Sequence, residues 1–256
     1  MCEKPLAWTL RDALRIVDAV EKTGQLCETG YQWRHNPLLP KAIARLGESG
    51  ISLVRGAWYH TIPLVDSIRD VKTGGGQIFD QSTHIIDLAR LFAGDVDSLY
   101  AAYTLNARSK ADFDNFDNWD GYSVTMQYAS GAVGSFGSTY ALFLGHGEPV
   151  VLDIVGSQIL IKFLGDRMIV VTPEGREELG SEMDGFTAQS DIMGDFAKAV
   201  ASRDRVFVKS PPVDSVKSLA TTIAANLSAQ IGEIIAPAEL IARARAGEDI
   251  PAVRLG

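Results

Sequence analysis

Between Leu99 and Val171 the sequence sets out six short runs of mostly alternating character: Leu99–Leu105, Tyr122–Tyr128, Ala132–Tyr140, Val150–Val155, Ile159–Phe163 and Met168–Val171. Alternation at a period of two marks strands that bury one face and wet the other. Turn signals separate several of them. Ser130-Gly131 reads as a hairpin turn, and Gly156-Ser157 and Gly165-Asp166 as further turns. Consecutive strands joined this tightly can only run antiparallel, so the centre of the chain predicts a mostly antiparallel sheet. Ile51–Tyr59 adds an earlier strand.

Helices are expected on either side. Thr9 caps a helix to Lys22, with Leu10, Ala13, Leu14, Val17 and Val20 at helical spacing and Gly24 closing it. Leu26–Tyr31 is a short strand candidate. Asn36-Pro37 opens a helix to about Leu46. Three helices end the chain: Phe186–Ser202, Val213–Ile235 and Ala238–Ala246. The fold class is α/β, with an α+β C-terminal part and no internal repeat.

The 256 residues carry a net charge of −8, and hydrophobic residues make up 46%. That suits a globular core and disfavours nucleic acid and anionic membrane surfaces, which want a basic stripe. No apolar run approaches a membrane span, and the N-terminus lacks the pattern of a signal peptide. Two cysteines, Cys2 and Cys27, make neither a disulfide framework nor a zinc site and fit a reduced, cytoplasmic protein.

Gly74–Gly94, GGGQIFDQSTHIIDLARLFAG, is the stretch that bears chemistry. Read as one helix from Gln77 to Ala93, it places Ile78, Ile85, Ile86, Ala89, Phe92 and Ala93 on one arc. Asp80, His84 and Asp87 share the opposite side. Those polar residues either wet a solvated face or project into a cleft, where an imidazole could move a proton near neutral pH. A metal reading would recruit Asp87 as a third ligand, without a second His or Cys nearby. The glycine triplet has no use in a helix interior, where each glycine costs about 1 kcal/mol. It fits a close-approach backbone feeding a helix N-terminus, which would favour anionic or polar ligands.

Other glycine and acidic motifs are weaker. Neither Gly74–Gly76 nor Gly145-His146-Gly147 continues into a G-x-G-x-x-G dinucleotide turn, because Phe79 and Val150 hold the third position. Asp112–Asp120, DFDNFDNWD, departs from a calcium loop at Phe116 and is expected to be an exposed acidic loop.

Taken together, CEKPLA (Cys2–Ala7), GYQWRHNP (Gly30–Pro37), the Gly74–Gly94 block, YASGAVGSF (Tyr128–Phe136) and SVKSLATTIAANLSAQIGE (Ser215–Glu233) resemble the Gfo/Idh/MocA oxidoreductases over nearly the whole chain. The resemblance implies an open sheet with helices packed on one face. It implies an NAD- or NADP-dependent enzyme acting on a hydroxyl/carbonyl pair of a sugar, cyclitol or related polyol. Lys4 and His84 would flank the reacting carbon, with Asp80 supporting them and fixing the tautomer of His84. Glu3, Lys4, Pro5 and Gln32 would lie at the cofactor, and Arg34, His60 and Tyr140 at the substrate. A homodimer or homotetramer through the open sheet is implied as well.

In that family Glu-Lys-Pro falls late in the Rossmann domain, after the glycine turn that holds the pyrophosphate. Residues 1–35 are therefore expected to be the last part of such a domain and 36–256 an intact substrate and oligomerisation domain, with cofactor binding impaired. Two other readings stand beside this one: a non-catalytic sugar-binding or oligomerisation module, and a metal-dependent lyase or hydrolase built on Asp80, His84 and Asp87.

Overall fold

A computed structural model describes residues 1–106, 116–180 and 185–254. Its frame is an eight-stranded sheet: β1 (Ile51–Thr61), β2 (Val96–Thr104), β3 (Gly121–Tyr128), β4 (Val133–Leu142), β5 (Val151–Gly156), β6 (Ile159–Leu164), β7 (Arg167–Thr172) and β8 (Gly175–Gly180). The order across the sheet is β2-β3-β4-β1-β5-β6-β7-β8. Among the described strands only β1 and β4 pair in parallel; every other neighbouring pair is antiparallel. β1 reaches its place between β4 and β5 by a long helical connection, which is why it alone can run parallel.

Six strands match the alternating runs. β8 is the addition, with sequence GREELG: its charged edge residues gave no apolar period to detect. Leu26–Tyr31 is a correction. Only Thr29 bridges Cys2, in parallel, and no strand forms there among the described residues.

Helices cover one face. α1 (Leu10–Thr23) is capped as its sequence suggests: Thr9 Oγ1 accepts from Asp12 N, and Gly24 ends it at φ 67°. After a 3-10 turn (Gln32–His35), Asn36 Oδ1 caps Leu38 N and α2 (Leu38–Leu46) follows. Four helices come next: α3 (Asp66–Arg69), α4 (Val71–Gly74), α5 (Gln77–Asp80) and α6 (Thr83–Ala93). The C-terminal helices are α7 (Gly185–Ser202), α8 (Pro212–Ile231) and α9 (Pro237–Arg245). α8 lies against β2, and α6 against β1 and β5.

Alternation decides which strand residues meet them. On β3, Tyr122, Val124, Met126 and Tyr128 are buried, while Ser123, Thr125 and Gln127 face out. Leu6, Leu10, Leu14 and Val17 join the same core as the sheet, so the N-terminal segment is packed into the domain. No described helix is long and apolar enough to cross a membrane.

Two expectations of local structure fail. The helix from Gln77 to Ala93 is broken. Gln81 N and Ser82 N both donate to the Gln77 carbonyl at 2.9 Å, and the ladder restarts with Ile86 N on Ser82 O. Asp80 and His84 therefore do not sit on successive turns of one continuous helix. The acidic stretch is not an exposed loop where it is described: Phe116, Asn118 and Asp120 are buried, and the Asp120 carboxylate accepts from Asn106 N. Residues 112–115 lie outside the described residues.

Candidate active site

Backbone pairing places the lysine. Cys2 N donates to Glu28 O and Gly30 N to Cys2 O, both at 2.8 Å, so residues 2–4 run beside residues 28–30. Gly30 lets the two segments approach closely. A Cβ on it would lie 3.0 Å from Glu3 Oε2 and 3.2 Å from Lys4 N. The Lys4–Pro5 peptide is cis. From this segment Lys4 Nζ donates to the Asp80 carbonyl oxygen at 2.6 Å and to Asp80 Oδ1 at 3.0 Å.

The glycine triplet does position α5, by packing. A Cβ on Gly74 would lie 2.5 Å from the Ile68 carbonyl oxygen. Gly75 (φ 69°) has Phe79 Cδ1 at 2.6 Å from that point, and Gly76 (φ 88°) has the Trp119 ring at 2.9 Å. Asn226 Nδ2 donates to Gly75 O. Protein packs closely against all three glycines at the approach to this one-turn helix, so close packing accounts for the triplet. Gln77 Nε2 then bonds the Trp58 and Thr139 carbonyls, fastening α5 to the β1–β4 pair.

His84 opens α6 and is buried at 8% exposure. Burial, reinforced by the Lys4 charge, lowers its pKa from 6.5 to about 3, so the imidazole is neutral at physiological pH. Its Nδ1 is buried without a partner. The expectation that Asp80 fixes the tautomer of His84 is therefore corrected. The Asp80 carboxylate bonds Lys4 and makes a long, 3.5 Å contact with the Tyr140 hydroxyl. The break between α5 and α6 is the physical reason.

Aromatic rings orient the imidazole instead. Trp33 stacks on it with centroids 5.5 Å apart and planes at 29°, and Tyr31 meets it edge-on at 6.0 Å. Tyr31 is itself fixed by a 3.1 Å hydrogen bond between its hydroxyl and Thr83 Oγ1. Trp58 stacks on Trp33 at 5.2 Å and 19°. An open cleft of about 410 Å³ adjoins Asp80 and includes Pro5, Trp8, Ile68, Gly74 and Phe79 in its lining.

The remaining candidates separate. Tyr140 joins Asp80; burial, then the Asp80 charge, pushes its phenol pKa well above 10. His60 follows Trp58 on the same strand face but turns its Nδ1 to the Thr61 carbonyl and packs over Gly147. Glu3 is exposed and Gln32 half-buried, and among the described residues neither side chain hydrogen-bonds to Lys4 or Asp80.

Arg34 is a correction. Its Nε and Nη2 hold Asp87 at 2.6 and 2.7 Å, Nη2 also meets Asp214 at 2.5 Å, and Nη1 donates to Lys209 O. A guanidinium committed to two carboxylates and a carbonyl braces the protein, and among the described residues it has no hydrogen bond to Lys4, Asp80 or His84. Asp87, committed to Arg34 and to Ser218 Oγ, likewise does not join Asp80 and His84 as a metal ligand.

Trp33 and Trp58 were missed as site residues. The signals were available: Trp33 lies between the candidates Gln32 and Arg34, and Trp58 is two residues from His60, on the same strand face.

Residues 45–162 match the model of the GFO/IDH/MocA C-terminal domain. The uncharacterized oxidoreductase YrbE of Bacillus subtilis (strain 168) is 27% identical over 152 residues, covering 58% of this chain and 44% of YrbE. D-xylose 1-dehydrogenase (NADP(+)) 2 of Haloferax volcanii is 26% identical over 108 residues, 41% of this chain and 33% of that protein. The chain thus spans less than half the length of these curated relatives. A solved structure of levoglucosan dehydrogenase with NADH and levoglucosan superposes with a TM-score of 0.77 at 20% identity, covering 98% of this chain and 73% of that one.

Proposed function

We propose that this chain, whose residues 45–162 match the GFO/IDH/MocA C-terminal domain, serves NAD(P)-dependent hydride transfer at a hydroxyl/carbonyl pair of a sugar, cyclitol or related polyol. The observation that carries this reading is the Lys4–Asp80 ion pair set beside a neutral, buried His84. Residues 1–35 supply the cofactor side and 36–256 the substrate side.

The residues present fit the reactive end of a nicotinamide dinucleotide better than its pyrophosphate. Lys4 offers a cation next to an imidazole with an unpartnered nitrogen. No G-x-G-x-x-G follows a strand in the 256 residues, so this sequence contains no pyrophosphate cradle of that type. When bound, the nicotinamide supplies the hydride chemistry. Glu3, Lys4, Pro5 and Gln32 are the residues assigned to that side.

The chain's own groups handle charge and proton. In the oxidation direction the substrate hydroxyl gives its proton to His84, and in reduction it receives one back. Negative charge growing on the substrate oxygen makes the imidazole more basic, offsetting the burial that keeps it neutral beforehand. Lys4 stabilises that same oxygen. Asp80 positions Lys4, and Tyr140 backs Asp80.

The sheet face away from the helices carries exposed Leu53, Tyr59, Tyr100 and Val133, with Leu53 and Val133 in register on neighbouring strands. A homodimer or homotetramer would cover it. Two free cysteines accord with a cytoplasmic location.

An NADH fluorescence titration tests the reading. Quenching or enhancement at millimolar cofactor is expected. No response would leave the non-catalytic sugar-binding module as the better description.

A further inference from the structure

Resting on the sugar oxidoreductase reading, we infer that Trp33 and Trp58 form an aromatic platform for the C–H face of a cyclic sugar, so that this site selects ring substrates over open-chain polyols.

The ring geometry supports this first. Trp58 and His84 lie 5.2 and 5.5 Å from Trp33, yet only 6.5 Å from each other. That separation is too short for the two to lie on opposite faces of Trp33. Both sit against one face, so the three rings adjoin one another between the imidazole and strand β1. Trp33 and Trp58 are half-buried, so each keeps part of its surface accessible.

Hydrogen bonding supports it second. Among the described residues, neither indole N–H donates to a protein acceptor. A buried or half-buried indole usually finds one. Two indole donors without a partner among the described residues, beside an apolar surface, suit a ligand with a hydroxyl rim around an apolar face, which is the chemistry of a pyranose, an anhydrosugar or an inositol. An open-chain polyol has the hydroxyls but no fixed apolar face, and would lose torsional freedom to present one.

Rigidity supports it third. The 3-10 turn that carries Trp33 is held at both following residues. Arg34 binds Asp87 and Asp214. His35 lies buried between Glu28 Oε1 at 2.8 Å and Asp195 Oδ2 at 2.9 Å. A wall fixed in this way costs little to order when a ligand arrives. Arg34 and His35 are positioning residues for it.

The test is saturation-transfer NMR on the full chain without cofactor, using levoglucosan, D-xylose and myo-inositol against xylitol and sorbitol. Ring probes are expected to bind about ten-fold tighter than open-chain probes, with saturation strongest on ring C–H protons. Trp58→Leu and Trp33→Leu should each lose about that factor, and the Trp→Phe variants should regain part of it. Thermal melting checks that each variant is folded, and the Phe variants serve where a Leu variant is not. Equal binding of ring and open-chain probes, unchanged binding in the Leu variants, or no binding of any ring probe would overturn the platform. Ring binding without hydride transfer would defeat the redox reading alone. Turnover of sorbitol as readily as levoglucosan would defeat the platform alone.

Discussion

Lys4 Nζ donates to both the backbone carbonyl and the carboxylate of Asp80, at 2.6 and 3.0 Å, across 76 residues of sequence. The carboxylate expected to serve the histidine serves the lysine. Asp80→Asn should therefore leave the carbonyl contact, loosen Lys4, and lower kcat by about 10²-fold with little change in KM. Steady-state kinetics at 340 nm measures this. A change confined to KM would place Asp80 in ground-state sugar binding instead.

His84 makes the fold acid-sensitive in a defined window. Its pKa falls from 6.5 to about 3 on folding. Between those values the unfolded chain binds the proton and the folded one does not, so stability is complete above pH 6.5 and falls as the pH drops toward 3. The slope approaches about 1.4 kcal/mol per pH unit. His84→Gln should flatten it. Asp195, whose pKa is lowered from 3.8 to about 2, loses its contribution at lower pH, so urea melts between pH 7 and 5 isolate the histidine.

Arg34 is a brace, and its loss should appear in stability before kinetics. Arg34→Met leaves Asp87 buried without its cation, at a cost of about 3–5 kcal/mol. Combining it with Asp87→Leu should cost less than the two singles added together. Additivity in a double-mutant cycle of chemical denaturation would show that the pair is not coupled.

Two glycines of similar φ, Gly24 and Gly75, yield a graded comparison. Gly24 (φ 67°) has open space where a Cβ would go, so Gly24→Ala should cost about 1 kcal/mol, from backbone strain alone. Gly75 (φ 69°) adds a contact 2.6 Å from Phe79, and Gly75→Ala should cost at least about 1 kcal/mol more. Thermal melts of the two variants compare them; equal losses would show that Phe79 yields freely.

Much of the frame was legible because it rests on local signals. Thr9, Gly24 and the alternating runs of β3 and β4 act through caps, turns and a period of two. The break after Asp80 had no such signal. It arises because Gln77 fastens α5 to the Trp58 and Thr139 carbonyls while α6 takes its place against β1 and β5, and those contacts span the chain. The site was legible as a set of residue types, Lys4, Asp80 and His84. Who touches whom was not, because the partner of Asp80 and the rings on His84 depend on where residues 2–4 and 31–33 come to rest. Arg34 shows the same limit: its sequence neighbourhood suggested a pocket, and long-range burial between Asp87 and Asp214 made it a brace.

The proposed role of Lys4, Asp80 and His84 is to handle charge and proton on a sugar or polyol while the nicotinamide exchanges hydride. Absorbance at 340 nm, followed with the full chain, millimolar NAD⁺ or NADP⁺ and the cyclic sugars named above, tests it most directly. The expected result is a slow rise with at least one sugar, lost in Lys4→Met. No rise above the protein-free rate with any sugar and either cofactor, or a rise that Lys4→Met leaves intact, would contradict it.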